Sequence, residues 1–300
     1  MNPFITITNF TSHQVLLLFA DFVLALMLLF ATRIFLKSRV KSKPEDMLAS
    51  QDNFAYGISF AGSLVAMAII LSGAISSGMR SDFIEDFSRM LSYGIYGLIL
   101  IRVGTYLFDR IALNQLDKWQ ELYNKNISVS IVDAASAIAI AIVIRELLIW
   151  VHGLSVYTVI AVTVGFVIAF CVLIIVTRMK EKEYAKNNQA DSMQKAFKLG
   201  QEALALRFSG QLISTSLAVS AAGQFFIFDP ATLVSALLGW SAIALIMILL
   251  VSTISRIAKH FILWKVNLVT EVDHQHNIGV ASIEMATSIS IALILTSLIG

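Results

Sequence analysis

Residues 126–149, NISVSIVDAASAIAIAIVIRELLI, and residues 277–299, NIGVASIEMATSISIALILTSLI, carry the reading of this chain. Both open on an asparagine, place one acid seven residues later and are otherwise mostly apolar or small. An offset of 151 residues aligns them without gaps: Asn126-Ile127-Ser128-Val129 falls on Asn277-Ile278-Gly279-Val280, Asp133 on Glu284, Ala135 on Ala286, Ile138 on Ile289, and Ile140-Ala141 on Ile291-Ala292. Apolar composition alone would not align the asparagines and acids. Each run also meets the length a bilayer core demands, about 20 apolar residues per helix, because every backbone group must be satisfied within the segment.

Working outward, eight stretches meet that length: Gln14–Phe35, Phe54–Ile75, Met90–Phe108, Ile127–Ile149, Leu154–Val176, Ala205–Phe226, Ala231–Ile254 and Ile278–Leu298. The expected fold class is therefore an all-α membrane protein of about eight transmembrane helices. Composition agrees, with 57% hydrophobic and 14% charged residues and a mean hydropathy of +0.79, outside what a soluble domain of 300 residues needs. The first stretch has no basic residue before it and no cleavage pattern, so it is expected to be a retained helix. The single cysteine, Cys171, rules out an intramolecular disulfide.

Lys and Arg sort between the connections. Arg33, Lys37, Arg39, Lys41 and Lys43 follow the first span, and Arg178, Lys180, Lys182, Lys186, Lys195, Lys198 and Arg207 follow the fifth. Arg110, Lys118 and Lys125 follow the third, and Arg256, Lys259 and Lys265 the seventh, while the opposite side carries only Arg80, Arg89 and Arg145. The positive-inside rule then puts the basic connections in the cytoplasm and both termini outside it.

A second match, Phe60-Ala61-Gly62-Ser63-Leu64 on Phe208-Ser209-Gly210-Gln211-Leu212, lies in the same order as the first. Together they predict two four-helix repeats, residues 1–150 and 151–300. A unit with an even number of spans keeps its orientation, so the repeats are parallel and not inverted. The Phe-Ala-Gly-Ser-Leu helix with Ser72-Gly73-Ala74 downstream, the third span ending in Asp109-Arg110, and the helix with an acid seven residues after its asparagine resemble the bacterial inner-membrane family known as domain of unknown function 350, here present as two tandem copies. The second copy departs in having Ser255-Arg256 where the first has Asp109-Arg110. The resemblance implies a bacterial inner (plasma) membrane location and brings no activity with it.

Charge at bilayer depth costs a few kcal/mol or more, so each instance asks for a reason. Asp133 lies roughly 10 Å into its span from Asn126, and Arg102 about 12 Å from Arg110 on the same side, so an Arg102–Asp133 ion pair is expected. Glu284 takes the matching place in the eighth span, where the seventh offers no arginine at that depth. It is read as a protonated carboxyl, either unpaired and able to carry a proton or hydrogen-bonded to a neighbouring helix, or as a partner of Arg207, should those helices touch. Asp21 stands in the first span near the outer side, with a neighbouring helix or water as partner. Asn126 and Asn277 suit N-caps, or share a polar stripe with Ser130, Asp133 and Ser136 on one helix and Glu284, Thr287 and Ser288 on the other. These six residues, Asp133, Glu284, Arg102, Asp21, Asn126 and Asn277, are the polar candidates.

Among the loops, Glu271–His276 reads as a solvated polar connection more than as a metal site, and Glu181–Glu202 as either a surface-lying amphipathic helix or a plain linker. There is no phosphate-binding glycine loop, nucleophile elbow or zinc-protease motif, so no enzyme activity, cofactor or metal is expected. The net charge of +2 does not suggest nucleic acid. Two functions remain: an ion or small-solute path between the units lined by Asp133, Glu284 and Arg102, towards which the intramembrane charge tilts, or a non-transporting component that assembles with partners or responds to membrane stress. The bilayer is the expected partner, with a second copy or another membrane protein as candidates beside it.

Overall fold

Without water to bond its backbone, an apolar chain closes its hydrogen bonds inside helices. The computed structural model describes residues 12–37, 44–76 and 83–299, and these are all-helical, with no strand among the described residues. The helices are α1 (Ser12–Lys37), α2 (Phe54–Ser76), α3 (Phe83–Ile111), α4 (Lys118–Tyr123), α5 (Ile127–Trp150), α6 (Val156–Asn187), α7 (Met193–Lys198), α8 (Glu202–Ala221), α9 (Leu233–Ile262) and α10 (Ile278–Ile299). Arg39, Lys41, Lys43 and Arg80, used above for orientation, lie outside the described residues.

Among the described residues, seven helices are long and apolar enough to cross a membrane: α1, α2, α3, α5, α6, α9 and α10. The expected span at Ala205–Phe226 is not one of them. Helix α8 carries Glu202, Arg207, Gln211 and five Ser or Thr residues in its 20, and it stops at Ala221, giving way to a 3-10 turn, Ala222–Phe225. Its hydroxyls bond within the chain, Ser214 and Thr215 to the Gln211 carbonyl and Ser216 to that of Ile213. Protein encloses it, because α5, α6, α9 and α10 all pack on it.

Four helices form a row, α2 on α5, α5 on α8 and α8 on α10, and α1, α3, α6 and α9 lie against it. Row neighbours run parallel: Gly62 and Gly73 of α2 meet Ala134 and Arg145 of α5 in the same order along both helices. Two crossings are closest. A Cβ on Gly62 would stand 2.5 Å from Ala134 Cα, and one on Gly210 of α8 2.6 Å from Met285 Cα of α10, so glycine lets the backbones touch. The covering helices turn Phe19, Phe22, Val156, Val167, Leu245 and Leu249 outward, as lipid contact favours.

Each row helix is preceded by a short helical turn: Asp46–Ser50, α4, α7 and Val269–His274. Each turn ends in a residue of positive φ, namely Asp52, Lys125, Gly200 and His276, which reverses the chain into the next helix. Since the row helices are parallel, all four turns gather at one end of the bundle.

Candidate functional site

Burying a charge costs several kcal/mol unless an opposite charge and hydrogen bonds replace its water. At the end of the row where the short turns lie, the two aligned acids meet that demand with different partners.

Asp133 on α5 is 8% exposed. Lys118 of α4 places Nζ 2.7 Å from its Oδ1 and 2.5 Å from Oδ2 of Asp109, near the end of α3. The Ser59 hydroxyl of α2 donates to Asp133 Oδ2. Helix α4 is held in place for this because Asp117 caps it, accepting from the Gln120 N–H at 3.2 Å. Burial opposes the charge on Lys118, but the Asp133 and Asp109 carboxylates outweigh it and raise its pKa above the ordinary lysine value. Lys118 therefore stands where Arg102 was expected. Depth along α3 pointed to Arg102, which is half-buried there, but the six-residue α4 folds across the ends of α3 and α5 and reaches the carboxylate first. Beside the pair, Asp109, Leu113, Leu116, Lys118, Val129, Val132 and Asp133 line a cavity with room for about one water.

Glu284 on α10 is 4% exposed and is not unpaired. Arg207 of α8 donates through Nε to its Oε2 at 2.6 Å, and Lys259 of α9 lies 3.2 Å from Oε1. The alternative Arg207 contact is thus the one formed, and the unpaired carboxyl is overturned. Arg207 also donates from Nη1 to Asp273 and from Nη2 to the Leu268 carbonyl at 2.6 Å. Burial raises the pKa of Asp273, and Arg207 opposes that shift.

Asn126 and Asn277 are N-caps, accepting from the N–H groups of Val129 at 3.2 Å and Val280 at 3.1 Å. Their amides donate to Glu121 and Glu271. Asn126 reaches further, to the carbonyls of Phe197 at 3.1 Å and Lys198 at 3.0 Å. Asp21 is buried near the other end, where Asp86 and Arg89 of α3 act on it electrostatically. Asp86 and Arg89 are themselves an ion pair, and Arg89 donates to the Ala74 carbonyl at 3.2 Å.

Sequence reasoning missed Lys118, Asp109, Lys259, Asp273 and Asp86 as parts of these centres. The one available signal was Asp109-Arg110, noted as a motif and not as a partner. In Glu181–Glu202, Met193 and Phe197 are fully buried, so α7 packs into the protein and does not lie on a lipid surface.

A family model described as Domain of Unknown Function (DUF350) matches residues 9–148, 82–191 and 148–299, three overlapping segments that run across the chain. No curated protein and no solved structure matches it.

Proposed function

We propose the following for this chain, which belongs to the DUF350 family: it is a multi-pass component of the bacterial inner membrane that acts by assembling with other membrane proteins, not by catalysis. Helix α8 makes an eighth crossing inside the other seven, and residues 1–150 and 151–300 form two four-helix units of the same orientation. The short turns face the cytoplasm and both termini the other side, as the Lys and Arg count favours. The bilayer is its partner, and nucleic acid and cofactors are not. The observation that carries this reading is that both aligned acids already hold cations, Asp133 through Lys118 and Glu284 through Arg207 and Lys259, each joining neighbouring elements of the bundle. Such pairs serve packing and specificity.

A second reading, an ion path, draws on the cavity beside Asp133, where one lysine is shared by two carboxylates and a water fits. Cation and proton flux into proteoliposomes separates the two. For the assembly role, wild type gives no flux above empty liposomes, while Asp133→Asn and Glu284→Gln lower thermal stability. Flux by wild type that Asp133→Asn abolishes in protein still monodisperse on size exclusion would sink that role in favour of the path.

A further inference from the structure

The row α2, α5, α8, α10 has two open edges, and the contacts inside it indicate what fits them. One hydrogen bond recurs between successive hairpins. Asn53 caps α2, accepting from the Tyr56 N–H at 2.9 Å, and donates to the Leu122 carbonyl of α4 at 2.8 Å. Asn126 caps α5 and donates to the Phe197 carbonyl of α7. Each acceptor lies three residues before a residue of positive φ, Lys125 in one case and Gly200 in the other. A capping asparagine thus grips the short turn of the next hairpin. Asn277 caps α10, and its amide donates to Glu271 in the turn before it. At the opposite edge, the turn Asp46–Ser50 leads to Asp52 of positive φ, and the carbonyl three residues before it belongs to the exposed Ala49.

The helix faces agree. Helix α5 meets α8 where the Ser128 hydroxyl donates to the Gln201 carbonyl at 3.0 Å, and where the Ile131 and Ile142 carbonyls accept from Ser209 at 3.5 Å and Ser220 at 3.4 Å. The 151-residue offset carries Ser128, Ile131 and Ile142 onto Gly279, Ser282 and Leu293 of α10. The offset of 148 that relates Phe60 to Phe208 carries Ser209 and Ser220 back onto Ala61 and Ser72 of α2. All five of these positions are exposed. The other contact maps differently: Gly62 against Ala134 corresponds to Gly210 against Met285, and both are made within the chain. The open edge of α10 is small or hydroxylated at Gly279, Ser282, Ala286 and Ser290, the surface helices present to one another in a bilayer. The family model also fits at 82–191, one hairpin out of step with its other two matches, as interchangeable hairpins would allow.

Resting on the assembly role and tandem units above, we propose that copies of this chain join head to tail, α10 of one copy packing on α2 of the next as α5 packs on α8, with Asn277 donating to the Ala49 carbonyl of the next copy. Each copy uses both edges, so the contact is heterologous and builds a closed ring or an open row.

Cysteine cross-linking of the full chain in native membranes, in a Cys171→Ser background, tests this. The double variant Ala61→Cys/Ser282→Cys is expected to give a ladder of dimers and larger species on oxidation, with either single variant remaining monomeric. Ile131→Cys/Ser209→Cys is expected to link within one chain, which reports the fold. Absence of the ladder while that internal link forms overturns the proposal. So does a single variant that cross-links as well as the double, because that marks a two-fold contact. The mass of the wild type in lipid nanodiscs separates this from the broader role: several copies without the Ala61–Ser282 link overturn the head-to-tail contact alone, and a single copy overturns self-assembly and leaves a different protein as the partner.

Discussion

Ser59 of α2 and Arg207 of α8 stand at the same place, three residues before Gly62 and Gly210, and each bonds the buried acid of the helix it crosses, Ser59 to Asp133 and Arg207 to Glu284. The difference between hydroxyl and guanidinium organises everything around them. A serine brings no charge, so Lys118 enters from the short α4 to neutralise Asp133. An arginine carries its charge within the row and has donors to spare, which it spends on Asp273 and the Leu268 carbonyl.

Removing the amine of Lys118 leaves Asp133 buried without its cation. Lys118→Met is expected to lower stability by about 3–5 kcal/mol, the usual cost of breaking a buried pair from one side. Adding Asp133→Asn recovers much of that loss, so the two changes are far from additive in thermal unfolding in detergent. Additive losses would mean that the contact contributes little.

Arg207→Lys keeps the charge and loses the fork. A single ammonium cannot reach Glu284, Asp273 and the Leu268 carbonyl together, so a loss of roughly 1–3 kcal/mol is expected in denaturant titrations. Lys259→Met, which removes only the longer 3.2 Å contact to Glu284, is expected to cost less.

The Lys118 pKa is raised in the folded protein, so the stability it contributes is fully present below the unfolded lysine value of 10.5 and is lost as the pH rises through the folded value. The gap in melting temperature between wild type and Lys118→Met is expected to stay flat from about pH 6 to 9 and to close only in strong alkali. A gap that closes near neutrality would contradict the raised value.

Gly62→Ala is expected to cost about 1–3 kcal/mol, because the new methyl meets the Ala134 backbone and α2 must move off α5. Gly94→Ala meets the tip of the Leu28 side chain, which can turn aside, so its effect on the melting temperature is smaller.

The caps at Asn126 and Asn277 were legible because an N-cap is local, with donor and acceptor three residues apart. The glycine crossings were visible as an alignment of Gly62 with Gly210 but not as contacts, since Gly62 and Ala134 lie far apart in the chain. The partner of Asp133 escaped because depth along a helix ranks only residues within spans, and Lys118 comes from a connection. Helix α8 is the span that run length does not decide, for its hydroxyls and Arg207 are bonded to neighbours that no window along the chain can see.

By itself, the sequence determined that this chain is a bundle of long apolar helices of the DUF350 family, with aligned caps and acids at a fixed offset. Length, hydropathy and local hydrogen bonding suffice for that, since each acts over one helix. Tertiary structure alone decided which helices form the central row, which cation neutralises each acid, and that α2 and α10 are left as its open edges. These depend on backbone approach and charge contact between residues distant in sequence, and energies of that kind exist only once the helices have packed.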